Sequence, residues 1–119
     1  MVRRKKKDMS EAQTIIWPGQ SGEDYKYWIY PIGSSFKKEP GNYIFAKQTK
    51  PNTWSPCYIG QTKNLYERLG DHEKEACAKR HGATHIHAHL TSGGESIRKA
   101  EERDLILRWQ PPCNEQLVD

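Results

Sequence analysis

The clearest alternation lies in Ala83–Leu90 (ATHIHAHL). Ile86, Ala88 and Leu90 fall on one face and His85, His87 and His89 on the other, the period-two mark of a strand with one face on a core. Tyr25–Tyr30 (YKYWIY) is dense in strand formers and reads as an edge strand or an arm packed on the domain. Asn42–Lys47 (NYIFAK) and Cys57–Gly60 (CYIG) are further strands, and the Pro- and Asn-containing loop between them suits an antiparallel hairpin. Asn64 followed by Glu67 is a capping-box start. The spacing predicts one helix from there to Arg80, with Leu65, Leu69, Ala76 and Cys77 inward, although Gly70 inside it costs about 1 kcal/mol. Gly82 ends this helix. Ser92-Gly-Gly-Glu95 repeats the cap pattern before a helix over Glu95–Trp109, whose apolar positions are Ile97, Leu105, Ile106 and Trp109; Pro111 and Pro112 stop it. The order is β-β-α-β-α. It predicts a small α+β domain with a three-stranded antiparallel sheet flanked by helices.

With 119 residues, the chain is one domain in size. No apolar run approaches the ~20 residues of a membrane span, and the mean hydropathy is −0.98. The basic start leads into Asp8, Ser10 and Glu11, not into the apolar segment of a secretory signal. Three cysteines without a C-x-x-C pair argue against a disulfide scaffold and for a cytoplasmic protein, nucleoid-associated if bacterial. Arg3, Arg4, Lys5, Lys6 and Lys7 account for the net charge of +4: residues 8–119 carry 14 basic and 15 acidic side chains. Residues 1–24 are expected to form a basic, disordered leader ahead of a domain over 25–119. The basic cluster is a sequence-independent phosphate-binding element or simply a solubilising terminus.

Four features bear on chemistry. Tyr43 and Tyr58 sit on neighbouring strands, where both hydroxyls reach one face, and Gly41 and Gly60 lie close by to admit a ligand. Arg68 and His72 are one helical turn apart, a fixed cation beside a proton carrier, both suited to a phosphate. Glu102 flanks the apolar stripe of the last helix, where a carboxylate needs a metal or a cation, with Arg98 and Arg103 as alternatives; Glu101 and Asp104 are expected to face outward. Asn114 follows two prolines on a stiffened turn. Each feature alone is also compatible with ordinary packing or a solvated face.

Taken in order, Gly41-Asn42-Tyr43, Tyr58-Ile59-Gly60, Arg68, Glu102-x-x-Leu105-Ile106 and Pro112-x-Asn114 resemble the GIY-YIG nuclease family over residues 41–114. The chain departs from the family name at Asn42. The resemblance implies a metal-dependent endonuclease that hydrolyses phosphodiester bonds, in DNA more than RNA, with one Mg²⁺ or Mn²⁺ per site. It makes Glu102 the metal ligand and Arg68 the phosphate-binding cation. Tyr43 would activate the attacking water, Tyr58 would orient it, His72 would assist proton movement and Asn114 would brace the site. Lys63 is a further candidate, a cation beside Tyr43 that would ease loss of its proton. Family members commonly use a fused domain for target choice, and the stretch before Gly41 is too short for one. The expectation is therefore limited intrinsic sequence specificity, with a partner protein as one source of it, in a monomer or weak dimer. Two rivals are a non-catalytic nucleic-acid-binding module of the same fold, and a His-rich metal protein using His81, His85, His87 and His89 near Cys77.

Overall fold

The computed structural model describes residues 13–114. The strands are β1 (Thr14–Pro18), β2 (Asp24–Pro31), β3 (Gly41–Lys50), β4 (Thr53–Thr62) and β5 (His85–Leu90). The helices are α1 (Leu65–Gly70), α2 (Glu75–Arg80) and α3 (Glu95–Trp109). All strand pairs are antiparallel, in the order β1-β2-β5-β3-β4. The α+β class is as expected, but the sheet has five strands rather than three. β1 arises within the stretch expected to be an irregular leader. Its Thr14-Ile15-Ile16-Trp17 run pairs with β2 and buries Trp17, so β2 is an inner strand rather than an edge. Residues 1–12, including Arg3, Arg4, Lys5, Lys6 and Lys7, lie outside the described residues.

The sheet is covered on both faces. Tyr43, Phe45, Ile86 and Ala88 pack with Leu65, Leu69 and Ala78 of α1 and α2. Ile44, Ala46, Ile59, Tyr27 and Trp17 pack with Leu105 and Ile106 of α3. This is why Tyr43–Ala46 reads as an unbroken apolar run and not as alternation: β3 lies at the centre, buried from Gly41 to Ala46. The same two-sided burial overturns the reading of β5. His87 is fully buried, and its Nδ1 accepts a 3.0 Å hydrogen bond from Trp17 Nε1. The β3–β4 hairpin is longer than expected. It runs to a tight turn at Pro51-Asn52, where Asn52 takes the left-handed conformation (φ 62°).

The predicted single helix after Asn64 is two. Asn64 caps α1, accepting from the Glu67 N–H at 3.1 Å, and α1 stops at Gly70. The chain turns over Asp71–Lys74 before α2 begins; Leu65 and Leu69 point inward as expected, but α2 buries Ala78 and leaves Ala76 exposed. α3 has the predicted bounds, but its N-cap is Gly94, without a side-chain cap from Ser92, and Ile97 is exposed. Cys77 and Cys113 form a disulfide, contrary to the expectation from the odd cysteine count, and Cys57 is free.

Candidate active site

Tyr43 starts the site. It lies on the α1–α2 face of β3, opposite Gly60 of β4, and its ring crosses that glycine. A Cβ at position 60 would come within 2.5 Å of the Tyr43 hydroxyl. Gly60 therefore makes room for the phenol, not for a ligand as expected. Gly41 likewise faces the His89 carbonyl and the Leu65 side chain. Because β4 is the edge of the sheet, a phenol lying across Gly60 reaches the margin that α3 also borders. Tyr58, half-buried, stands beside it with ring centroids 6.3 Å apart.

The break between α1 and α2 delivers His72. Its ring is buried among Tyr43, Phe45 and Tyr58, with centroids 5.4, 5.2 and 5.0 Å away. His72 Nδ1 accepts the Lys74 backbone N–H at 3.0 Å. Burial and the nearby Arg68 charge lower the imidazole to about 4, so it is neutral near pH 7. The neutral ring then carries its proton on Nε2, which donates to the Tyr43 hydroxyl oxygen at 2.7 Å. The Tyr43 proton is left free to point elsewhere. His72 is thus placed to stabilise charge on the Tyr43 oxygen, not to remove its proton.

Arg68, in the last turn of α1, lies close to both phenols, and its charge acts to lower the pKa of each. Burial wins nonetheless. Desolvation first, then the neighbouring Tyr58 and Glu102, hold Tyr43 well above the ordinary phenol value, and Tyr58 is raised by burial and Glu102. The Arg68 guanidinium is gripped by Glu73 in a fork, with bonds of 2.7 and 2.9 Å. Glu73 is the residue the sequence reading missed. The continuous helix predicted to Arg80 includes it, and only Gly70-Asp71 hints at the turn that brings it round.

Glu102 supplies the acidic side. It is half-buried on α3, and burial raises its pKa, partly offset by Lys99. Among the described residues it makes no hydrogen bond or ion pair. Arg98, one of its anticipated partners, instead donates Nε to Gln61 at 3.0 Å. A desolvated carboxylate without a partner, beside two phenols, is the donor chemistry a hard divalent cation accepts. Its neighbours on α3 differ from expectation. Glu101 is buried, accepting from Tyr27 at 2.6 Å and bonded to His89 at 2.6 Å. Asp104 binds Ser21 and Tyr25 rather than solvent alone.

Asn114 joins the margin from the far end of the chain. Its amide accepts from the Ile59 N–H and donates to the Ile59 carbonyl, both at 2.8 Å, which fixes β4 between Tyr58 and Gly60. Asn42, at the departure from the family motif, is fully buried; it donates to the Arg98 carbonyl at 3.0 Å and accepts from Thr91 at 2.7 Å, tying β3 to α3. Lys63 does not join the group: it is exposed between β4 and α1, with no bond to either phenol. The histidines of β5 do not converge as a metal site. His87 packs against Trp17 and Trp54, His85 against Trp54, and His89 is held by Glu101.

The model of the GIY-YIG catalytic domain matches residues 39–110. The chain belongs to the GIY-YIG family. Solved structures agree. The GIY-YIG N-terminal endonuclease domain of UvrC from Thermotoga maritima, as a tyrosine-to-phenylalanine mutant bound to its catalytic divalent cation, matches with a TM-score of 0.55 and 27% identity over 67% of this chain and 87% of that one. The same domain bound to magnesium matches with a TM-score of 0.54 and 26% identity, over 66% and 86% of the two chains. No curated protein matches by sequence. The protein therefore carries a nuclease-type domain of the GIY-YIG fold, with β1 and the inner position of β2 in its sheet.

Proposed function

We propose that the protein is a divalent-metal-dependent endonuclease that hydrolyses phosphodiester bonds in nucleic acid, DNA in preference to RNA. The observation that carries this reading is the gathering of Tyr43, Tyr58, Arg68 and His72 beside the Glu102 carboxylate, which has no hydrogen-bond or ion-pair partner among the described residues. Glu102 would hold one Mg²⁺ or Mn²⁺; magnesium is the ion bound by the Thermotoga maritima domain. When bound, that ion supplies Lewis-acid neutralisation of the phosphate.

The side chains do the rest. Arg68 offers a planar cation to the non-bridging oxygens, where negative charge grows during attack. Tyr43 takes the proton of the attacking water once its own proton has left. Arg68 and the His72 Nε2–H favour the phenolate that this requires. Tyr58 orients water or phosphate, and Asn114 keeps β4 in place beneath both. Apart from residues 1–7 the chain is nearly neutral, so it exerts little long-range pull on nucleic acid. Target choice then rests on substrate structure or on recruitment by a partner.

The test is a cleavage panel with Mg²⁺ or Mn²⁺ on duplex, nicked, branched and single-stranded substrates. Wild type is expected to cut. Glu102→Gln and Arg68→Ala, checked as folded by circular dichroism, are each expected to lose roughly 10²-fold or more. Nucleic-acid binding without cleavage on every substrate would replace the enzyme reading with the binding-module one.

A further inference from the structure

Away from the phenols, three groups with soft or borderline donor atoms meet at the end of α2. Cys77 lies on its last turn and His81 is its C-cap, four residues on and on the same side. Cys113 arrives from the Pro111–Asn114 turn, its N–H bonded to the Cys57 carbonyl at 3.0 Å. His81 Nδ1 lies 3.6 Å from Cys113 Sγ and 3.9 Å from Cys77 Sγ. These three donor atoms lie within 4.8 Å of one another and form the group of metal-ligating type found among the described residues. An imidazole nitrogen beside both sulfurs is a donor arrangement that a metal site can use. Tetrahedral zinc, with bonds of about 2.3 Å to sulfur and about 2.0 Å to nitrogen, sets neighbouring donors roughly 3.5–3.8 Å apart. Both histidine-to-sulfur separations are close to that edge.

We propose that the dithiol form of the chain binds one zinc-class divalent cation through Cys77 Sγ, Cys113 Sγ and His81 Nδ1, with water in the fourth position. The exposed side of His81 admits that water. The dithiol arises when a thiol or phosphine reductant adds two electrons and two protons to the Cys77–Cys113 bond. The cation then displaces the two thiol protons to solvent without any redox change. The His81 proton moves to Nε2, and the 3.0 Å contact between Nδ1 and the Cys77 carbonyl is given up for the metal. Metal and disulfide are alternative ways of fastening the same turn. That turn carries Asn114 and is thereby joined to α2, the helix that follows His72 and Glu73. This site is independent of the nuclease reading.

The test uses the full chain carrying Glu102→Gln, which removes the acidic site as a source of bound metal. The protein is reduced with a phosphine under anaerobic conditions, loaded with Zn²⁺ alone, desalted and assayed for metal. The expected result is one zinc per chain, release of two protons on loading, and thiolate charge-transfer absorption when Co²⁺ replaces Zn²⁺. His81→Ala, at an exposed position, with the fold checked by circular dichroism, is expected to weaken Zn²⁺ binding beyond the roughly 10–100-fold typical of losing a supporting outer partner. Cys113→Ser is expected to do the same, and His85→Ala to leave zinc content unchanged. Absence of stoichiometric zinc in the folded, fully reduced protein would overturn the proposal. Undiminished binding in His81→Ala, or equal loss in His85→Ala, would do so too. Failure of nucleic-acid cleavage would not, because metal content is read directly.

Discussion

Arg68 meets the solvent already paired, and that shapes what a phosphate must do to reach it. Glu73 presents two oxygens in the same fork that a phosphate would use. The hydrogen bonds from Arg68, more than its charge, hold the Glu73 carboxyl down at about 2, so the pair persists across the whole working range of pH. Glu73 is exposed, so the contact is an easily displaced competitor and not a lock. Replacing it by Gln is expected to lower KM for nucleic acid by roughly two- to fivefold with little change in kcat, and the difference should shrink as salt is raised. An unchanged KM at low salt would show that Glu73 does not compete. At this scale the candidate site was largely legible. Tyr43, Tyr58, Arg68, Glu102 and Asn114 stand at the spacings on which the resemblance to the GIY-YIG family rests. Glu73 and Asn42 were not legible, because each acts through a tertiary contact that no local pattern records.

Among the elements, the narrowest fit is the crossing of Tyr43 over β4. An alanine at position 60 would place its methyl against the Tyr43 hydroxyl and ring. Neither backbone is free to shift: β3 is central and buried, and Asn114 holds Ile59 from outside. Gly60→Ala is therefore expected to destabilise the fold by about 1–3 kcal/mol and to displace the phenol. Urea denaturation would register the first effect. A fall in kcat larger than any change in KM would register the second. Segments of four of the five strands, and α3, were readable from the local pattern, while α1 and α2 were read as one. Gly70 argued weakly against continuity, but the break is fixed by burial of His72 among three aromatic rings, a contact between distant segments. β1 escaped notice because its short apolar run sits among Gly and Pro. Its reason to be a strand is the β2 edge it covers.

For the molecule as a whole, two buried histidines set the response to acid. Burial lowers His87 to about 3, and burial with Arg68 lowers His72 to about 4, against about 6.5 in an unfolded chain. Between those values the unfolded state binds more protons than the folded one, so stability falls as pH drops. The thermal midpoint is expected to change little from these groups above pH ~6.5 and to decline steadily from there toward pH ~4. Scanning calorimetry against pH measures it, and nitrogen-15 shifts of both rings should still report neutral imidazole at pH 5. A midpoint that is flat between pH 6.5 and 4 would contradict this assignment. Asn114, finally, has a bearing on solubility. By engaging both main-chain groups of Ile59, its amide plays the part of a further strand at the outer margin of β4 and blunts a template on which another chain could stack. The turn that steadies β4 between Tyr58 and Gly60 is thus also a guard against self-association through that flank of the sheet.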